Sequence, residues 1–173
     1  MHYYGHPVLR AHCKPIPEVT DEVKQLVEDL IDTVKVFHGA GLAAPQIGVA
    51  LRVFVLFDYL IEGKEDKWTL SDEPRVYINP KITILSGELE ECAEGCLSLP
   101  GMRVKVLRPV KIKVEAIDRN GSSFEEIVEG YNARVRLHEN DHLNGVLMID
   151  RTDAKTRRHL EPVLRSIKKK YTT

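Results

Sequence analysis

Residues 138–142 read HENDH, two histidines four apart with a glutamate between them, and this stretch limits the possible folds more than any other. On an α-helix, residues four apart stand one turn above each other on the same face, so His138 and His142 can reach a single metal ion. Glu139 is displaced around the helix from the first histidine. Its carboxylate can reach a metal-bound water without ligating the metal, as in water-splitting metallohydrolases. The motif specifies only three positions, and a solvated face of a charged helix is the rival reading. Val135 and Tyr131 lie on the stripe that carries both histidines, which makes it an apolar, inward-facing row. Two core histidines satisfied by backbone are the remaining alternative. A fold that buries this helix around a metal must also supply a third ligand and something to hold the substrate.

The chain has 173 residues, 43% hydrophobic and 29% charged, which is expected of one globular domain spanning 1–173 and closing a full core around a site. Its net charge of −1 gives no case for a nucleic-acid or anionic-membrane surface. Apolar runs all fall short of the roughly 20 residues that span a bilayer, and Met1 is followed by His-Tyr-Tyr-Gly rather than a signal sequence. The expectation is a cytoplasmic protein with no membrane association. Cys13, Cys92 and Cys96 are an odd number, which argues against a disulfide framework and for free thiols or metal ligation.

Residues 2–17 contain Pro7, Pro15 and Pro17 and read as an extended arm wrapping the domain, with His2, His6 and His12 on the surface. From Thr20, the apolar residues Val23, Leu26, Val27, Leu30, Ile31 and Val34 recur at helical spacing, Asp21 and Glu22 complement the dipole, and Gly39 ends the helix. Residues 39–48, GAGLAAPQIG, are too rich in glycine and alanine for a packed regular element. Their small side chains let another backbone approach closely, whereas a flexible linker would carry serines and charges. Gln46 is the one polar side chain there, and if buried it needs a partner such as a substrate carbonyl. Residues 52–57 and 75–79 read as strands joined by a solvated loop over 58–73. Alternation at Val104 and Val106, then Val110, Ile112, Val114 and Ala116, predicts further strands up to Val128, with a hairpin at Asn120-Gly121. The result is an α+β fold, mainly antiparallel sheets packed around a central HExxH helix, with N-terminal and C-terminal helices.

Residues 94–101, EGCLSLPG, place Cys96 between a glycine and a leucine, far in sequence from the histidines. A thiolate here completes a Cys-His-His set. Three protein ligands leave a fourth position open for water, the mark of a catalytic rather than a structural metal site.

Taken together and in this order, GAGLAAPQIG, EGCLSLPG and LHENDHLNG resemble the three signature motifs of peptide deformylases, which remove the formyl group from the N-formylmethionine of new polypeptides. HPVLR near the start and ARV before the metal motif extend the resemblance over nearly the whole chain. It implies that Cys96, His138 and His142 bind the metal, that Glu139 is the general acid/base, and that Gln46 and the backbone N–H of Leu97 stabilise the oxyanion. Gly41 and Gly95 would contact the substrate backbone. The implied metal is Fe(II), for which Ni(II), Co(II) or Zn(II) substitute. The implied substrates are N-formylmethionyl nascent peptides, from which metal-bound water, assisted by Glu139, releases formate.

Some positions depart from the family pattern. Leu137 stands where glutamine commonly precedes the first histidine, and Arg134 and Arg136 place two cations in the first half of the helix. Arg134 either points at the methionine pocket, putting the usual preference in doubt, or turns to solvent, as arginine more commonly does. Asp141 and Arg108 match positions that pair in the family and are expected to brace the helix. Residues 152–171 read as a helix with Leu160, Val163, Leu164 and Ile167 at helical spacing, either kinked at Pro162 or beginning there. Lys168, Lys169 and Lys170 suit RNA phosphates, and in related bacterial enzymes a basic C-terminal helix can dock on the ribosome. A solvated end complementing the helix dipole explains them equally well.

Two other readings compete. Metalloproteases share HExxH but usually take histidine or glutamate as third ligand. A closed zinc module would use Cys92, Cys96, His138 and His142, yet residues four apart on a strand stand about 13 Å apart at ~3.3 Å per residue.

Overall fold

Thr20 starts the first helix as its sequence context predicts: its hydroxyl accepts the Val23 N–H, and helix α1 runs over Asp21–Val36 with all six apolar stripe positions buried. In the computed structural model, which describes residues 1–62 and 67–171, α1 is followed by strands β1 (Gly41–Ala43), β2 (Val53–Leu56), β3 (Tyr59–Glu62), β4 (Lys67–Leu70), β5 (Arg75–Ile84), β6 (Leu89–Cys96), β7 (Leu99–Pro109), β8 (Lys111–Ile117) and β9 (Ser123–Glu129). Helices α2 (Gly130–Leu143) and α3 (Ala154–Tyr171) complete the chain.

Five strands form an antiparallel sheet in the order β1-β2-β5-β8-β9. All four residues of β2 are buried, because the sheet is covered on both faces. Val53 and Val55 pack with α1, whereas Phe54 and Leu56 pack with Ala133, Val135 and Leu143 of α2. This is the alternation a period-2 strand produces. A third apolar cluster joins Leu99, Met102, Val104 and Val106 of β7 to Leu147, Met148, Ile149 and the α3 residues Leu164 and Ile167. Helix α2 thus lies between the main sheet and the β6–β7 ribbon. Removing a fully buried side chain such as Leu30 from such a core costs roughly 2–5 kcal/mol.

The arm at the start wraps as expected. Its backbone N–H groups donate from His2 to Gln46, from Tyr4 to Ser98, from Cys13 to Leu143 and from Lys14 to Ala50. His12 is exposed, but His2 and His6 are half-buried. Their rings meet at 3.9 Å, and Nδ1 of His6 accepts the Val8 N–H. Asn120-Gly121 makes the β8–β9 hairpin, with Gly121 at φ +85°.

Several expectations need correction. The excursion over 58–73 is not a solvated loop: β3 and β4 pair within it, while its centre, 63–66, lies outside the described residues. Tyr59 meets Tyr131 edge-on at 4.8 Å and Trp68 at 6.2 Å, and it exchanges two hydrogen bonds with Asn132. This aromatic cluster holds a hairpin whose charged residues resemble loop composition. Strand β5 continues to Ile84, and β6 is an additional strand. Helix α3 begins at Ala154, so Pro162 lies inside it rather than at its start, and Val163 is exposed.

Candidate active site and metal centre

Strand β9 leads directly into α2 through Gly130, whose φ of +60° is open to glycine at no steric cost. The helix then carries His138 and His142 one turn apart, with ring centroids separated by 5.2 Å. Cys96, at the end of β6, reaches the same point. One ligand atom from each of Cys96, His138 and His142 lies within 4.8 Å of the other two. The Cys96 sulfur is 3.3 Å from Nε2 of His142. Cys92 lies outside this group, and the four-ligand zinc module is not formed.

Glu94 organises the far side of the cluster. One of its carboxylate oxygens accepts Nδ1–H of His138 at 2.8 Å, which leaves Nε2 of that ring for an ion. Arg108 donates to both Glu94 oxygens at 2.8 and 2.9 Å, and Arg134 donates to one at 3.0 Å. The carboxylate thereby fills its four acceptor sites. Burial alone would raise its pKa, but the hydrogen bonds from Arg108 and His138 hold it well below the usual carboxylate range. Arg108 also donates to Asp141 at 2.6 Å, and Arg151 grips Asp141 from the other side. The expected Arg108–Asp141 pair is therefore present, within a larger buried network.

Both helix cations are buried. Arg134, 2% exposed, does not turn to solvent. Its terminal nitrogens are taken up by Glu94 and by the carbonyls of Val106 and Glu90, so it lines the cavity with its charge paired. Arg136 binds Asp58 and Glu126, each at 2.8 Å, above the Tyr77 ring. Buried guanidinium groups require such partners, and here distant segments provide them.

The Cys-His-His cluster opens onto a cavity of about 740 Å³ that Gly41, Gln46, Gly95, Leu97 and Glu139 all line. The Glu139 carboxylate lies so close to Gly41 that a Cβ there would stand 2.6 Å from Oε1. Burial pushes the Glu139 pKa up to about 7, opposed by His138. For His138, burial acts downward, but hydrogen bonds to Cys96 and Glu94 win and raise it well above its ordinary value. His142 is lowered well below its ordinary value, by burial first and then by His138. Gln46 is locked: the Ala43 N–H donates to Oε1 at 2.8 Å, so the amide nitrogen faces Ser98 Oγ at 3.1 Å and the Cys96 sulfur at 3.7 Å.

These donors suit a divalent ion. Oε2 of Glu139 and Nδ1 of His142 are buried without a hydrogen-bond partner among the described residues. An acceptor orphaned beside three converging donors fits a site built to hold an ion and a reactant.

Sequence reasoning gave no role to Glu94 or Ser98. Glu94 had a usable signal, since residues two apart on a strand share a face and Cys96 was already singled out. Ser98 had none before its contact with Gln46 was seen.

Fold and donor set together define a single-metal hydrolase. Residues 1–158 match the sequence model of polypeptide deformylase, and the chain belongs to that family. It is 45% identical over 147 residues to the peptide deformylase of Psychrobacter arcticus, covering 85% of this chain and 75% of that one. It is 39% identical over 170 residues to that of Thermotoga petrophila, covering 96% of each. The crystal structure of peptide deformylase from Ehrlichia chaffeensis superposes with a TM-score of 0.87 at 32% identity, covering 98% of this chain and 94% of that one. The protein is an enzyme, a metal-dependent hydrolase that removes the N-formyl group of newly made polypeptides.

Proposed function

We propose that this activity is carried by the residues around the Cys-His-His cluster, within one catalytic domain of residues 1–173. Cys96, His138 and His142 hold one ion, Fe(II) natively, with Ni(II), Co(II) or Zn(II) as substitutes. When bound, the ion supplies Lewis acidity, able to bring the pKa of a coordinated water from about 15.7 toward 7. Glu139 takes a proton at its unpartnered Oε2 and returns it to the amine that leaves, a task suited to a buried carboxylate oxygen that no other group engages among the described residues. Gln46, with its amide nitrogen fixed toward Cys96, and the N–H of Leu97 donate to the formyl oxygen as charge develops. A preorganised donor of this kind contributes roughly 2.7–4 kcal/mol.

Gly41 and Gly95 take the peptide backbone. Among the described residues each belongs to a strand paired on one side only, β1 with β2 and β6 with β7, and each lines the cavity. An extended chain end can enter between them as a temporary strand. Arg134, paired with Glu94, leaves the cavity wall suited to methionine. The cytoplasm is the expected compartment, and the basic end of α3 suits ribosomal RNA. Co-sedimentation with ribosomes that is lost at high salt and on replacing Lys168, Lys169 and Lys170 would test that docking.

The observation that carries this reading is the buried, unpartnered Glu139 oxygen beside the three donors. Its test is formate release from a formyl-Met peptide by protein purified without oxygen and loaded with Fe(II) or Ni(II), beside Glu139→Ala loaded identically. Release by the parent and none by the variant, with metal retained in both, is expected. Release by both would remove Glu139 from its role.

A further inference from the structure

The cavity extends beyond the space one formylated residue fills. Its volume of about 740 Å³ falls in the range of roughly 300–1,000 Å³ that encloses an entire drug-sized ligand. Where it opens, its lining includes the exposed residues Phe37, Gly101, Arg103 and Tyr171, together with the half-buried Tyr3. Tyr171 belongs to the apolar row of α3 that also carries Leu160, Leu164 and Ile167, since positions three, four and seven apart share a helix face. Leu164 and Ile167 are buried against the β7 core, but one turn later Tyr171 keeps 37% of its surface exposed and emerges at the cavity. Its ring stacks on Tyr3, with centroids 4.1 Å apart and planes at 25°. Tyr3 is anchored from beneath by the same core, and the next residue donates its backbone N–H to Ser98, two positions beyond Cys96. Two segments from opposite parts of the sequence thus present one aromatic surface beside the reacting centre, and the mechanism above does not use it.

We infer that Tyr171, stacked on Tyr3, is a specificity-determining residue whose ring receives an aromatic or large apolar side chain from the residues directly following formylmethionine. This rests on the deformylase reading of the cavity. A ring backed by Tyr3 and overlaid by the Lys170 side chain is held in place, and with 37% of its surface exposed it meets a third group edge-to-face at its free edge without first being ordered. Lys170 lies over the Tyr171 ring at 5.0 Å, and Arg103 lines the same opening. Cationic side chains are therefore disfavoured there.

The test is kcat/KM of the Ni(II)-loaded full chain on formyl-Met peptides whose second and third residues are varied in turn through Ala, Leu, Phe and Lys. At one of these positions the parent should prefer Phe over Ala by roughly three- to tenfold through KM, with Lys poorest. Tyr171→Ala should lose that preference while retaining parental turnover on the Ala peptides, and Tyr171→Phe should keep it. A parent indifferent to both positions, or a Tyr171→Ala variant with the parental preference, overturns the inference. A parent silent on every peptide overturns the deformylase reading and this inference with it.

Discussion

Nδ1 of His138 lies 2.8 Å from a carboxylate oxygen of Glu94, two residues before Cys96. One acidic side chain therefore orients His138 on α2 from the strand that also carries Cys96. Replacing Glu94 by Gln should weaken metal retention by roughly 10–100-fold, as for other groups that orient a metal-bound histidine. Stability should fall as well, by about 3–5 kcal/mol, because Arg108 and Arg134 lose their shared countercharge. Competition with a chelator and thermal unfolding read the two effects separately. Parental metal affinity in this variant would mean that His138 is oriented without Glu94.

Gly41→Ala tests the packing against Glu139. The new methyl would stand 2.6 Å from Oε1 and force the carboxylate aside. A displacement of about 1 Å at a reacting group costs roughly 10²-fold in rate. Turnover should fall by that order with metal content unchanged, as read by metal analysis beside steady-state kinetics. An active Gly41→Ala variant would show that Glu139 has room to adjust.

The two cysteines of β6 separate a catalytic centre from a closed zinc module. Cys96→Ser should lose metal and activity together, whereas Cys92→Ser, outside the donor group, should keep both. Equal losses from both substitutions would restore the four-ligand module.

The raised pKa of Glu139 has a consequence for metal-free protein. Its ordinary value is 4.5 and burial moves it to about 7, so between these values the folded chain holds a proton that the unfolded chain has released. This contribution to stability is therefore greatest below pH 4.5, falls as pH rises through the window, and levels off above 7. At about 1.36 kcal/mol per pKa unit the total is about 3 kcal/mol. Urea unfolding of chelator-treated protein should show this fall for the parent relative to Glu139→Gln. Parallel pH curves for the two proteins would contradict it.

Much of this was legible in the sequence because it was local. The α1 stripe from Val23 to Val34, the Asn120-Gly121 turn and the one-turn spacing of His138 and His142 each need only near neighbours. Cys96 was reachable through its motif, although it lies 42 residues before His138. The orientations of Arg134 and Arg136 were not legible, because propensity sends arginine outward and the opposing partners, Glu94, Asp58 and Glu126, come from other segments. Strand β6 was hidden for a similar reason: in ELEECAEGC the one deeply buried side chain is a glutamate, so no apolar alternation marks it. The β3–β4 hairpin depends on Tyr59 and Trp68 meeting Tyr131, a contact across about 60–70 residues of chain.

The one-sided pairing of β1 and β6 has a further consequence. An unpaired strand edge is normally a hazard, since another molecule can zip onto it. In this chain β1 is only Gly41–Ala43 long and lines, with β6, the cavity beside the Cys-His-His cluster, which leaves a second folded protein little edge to pair with. On the proposed reading, in which Gly41 and Gly95 take the substrate backbone, access is timed by the substrate: a polypeptide is open to processing while its first residues are still unstructured, and closed to it once they have joined a fold of their own.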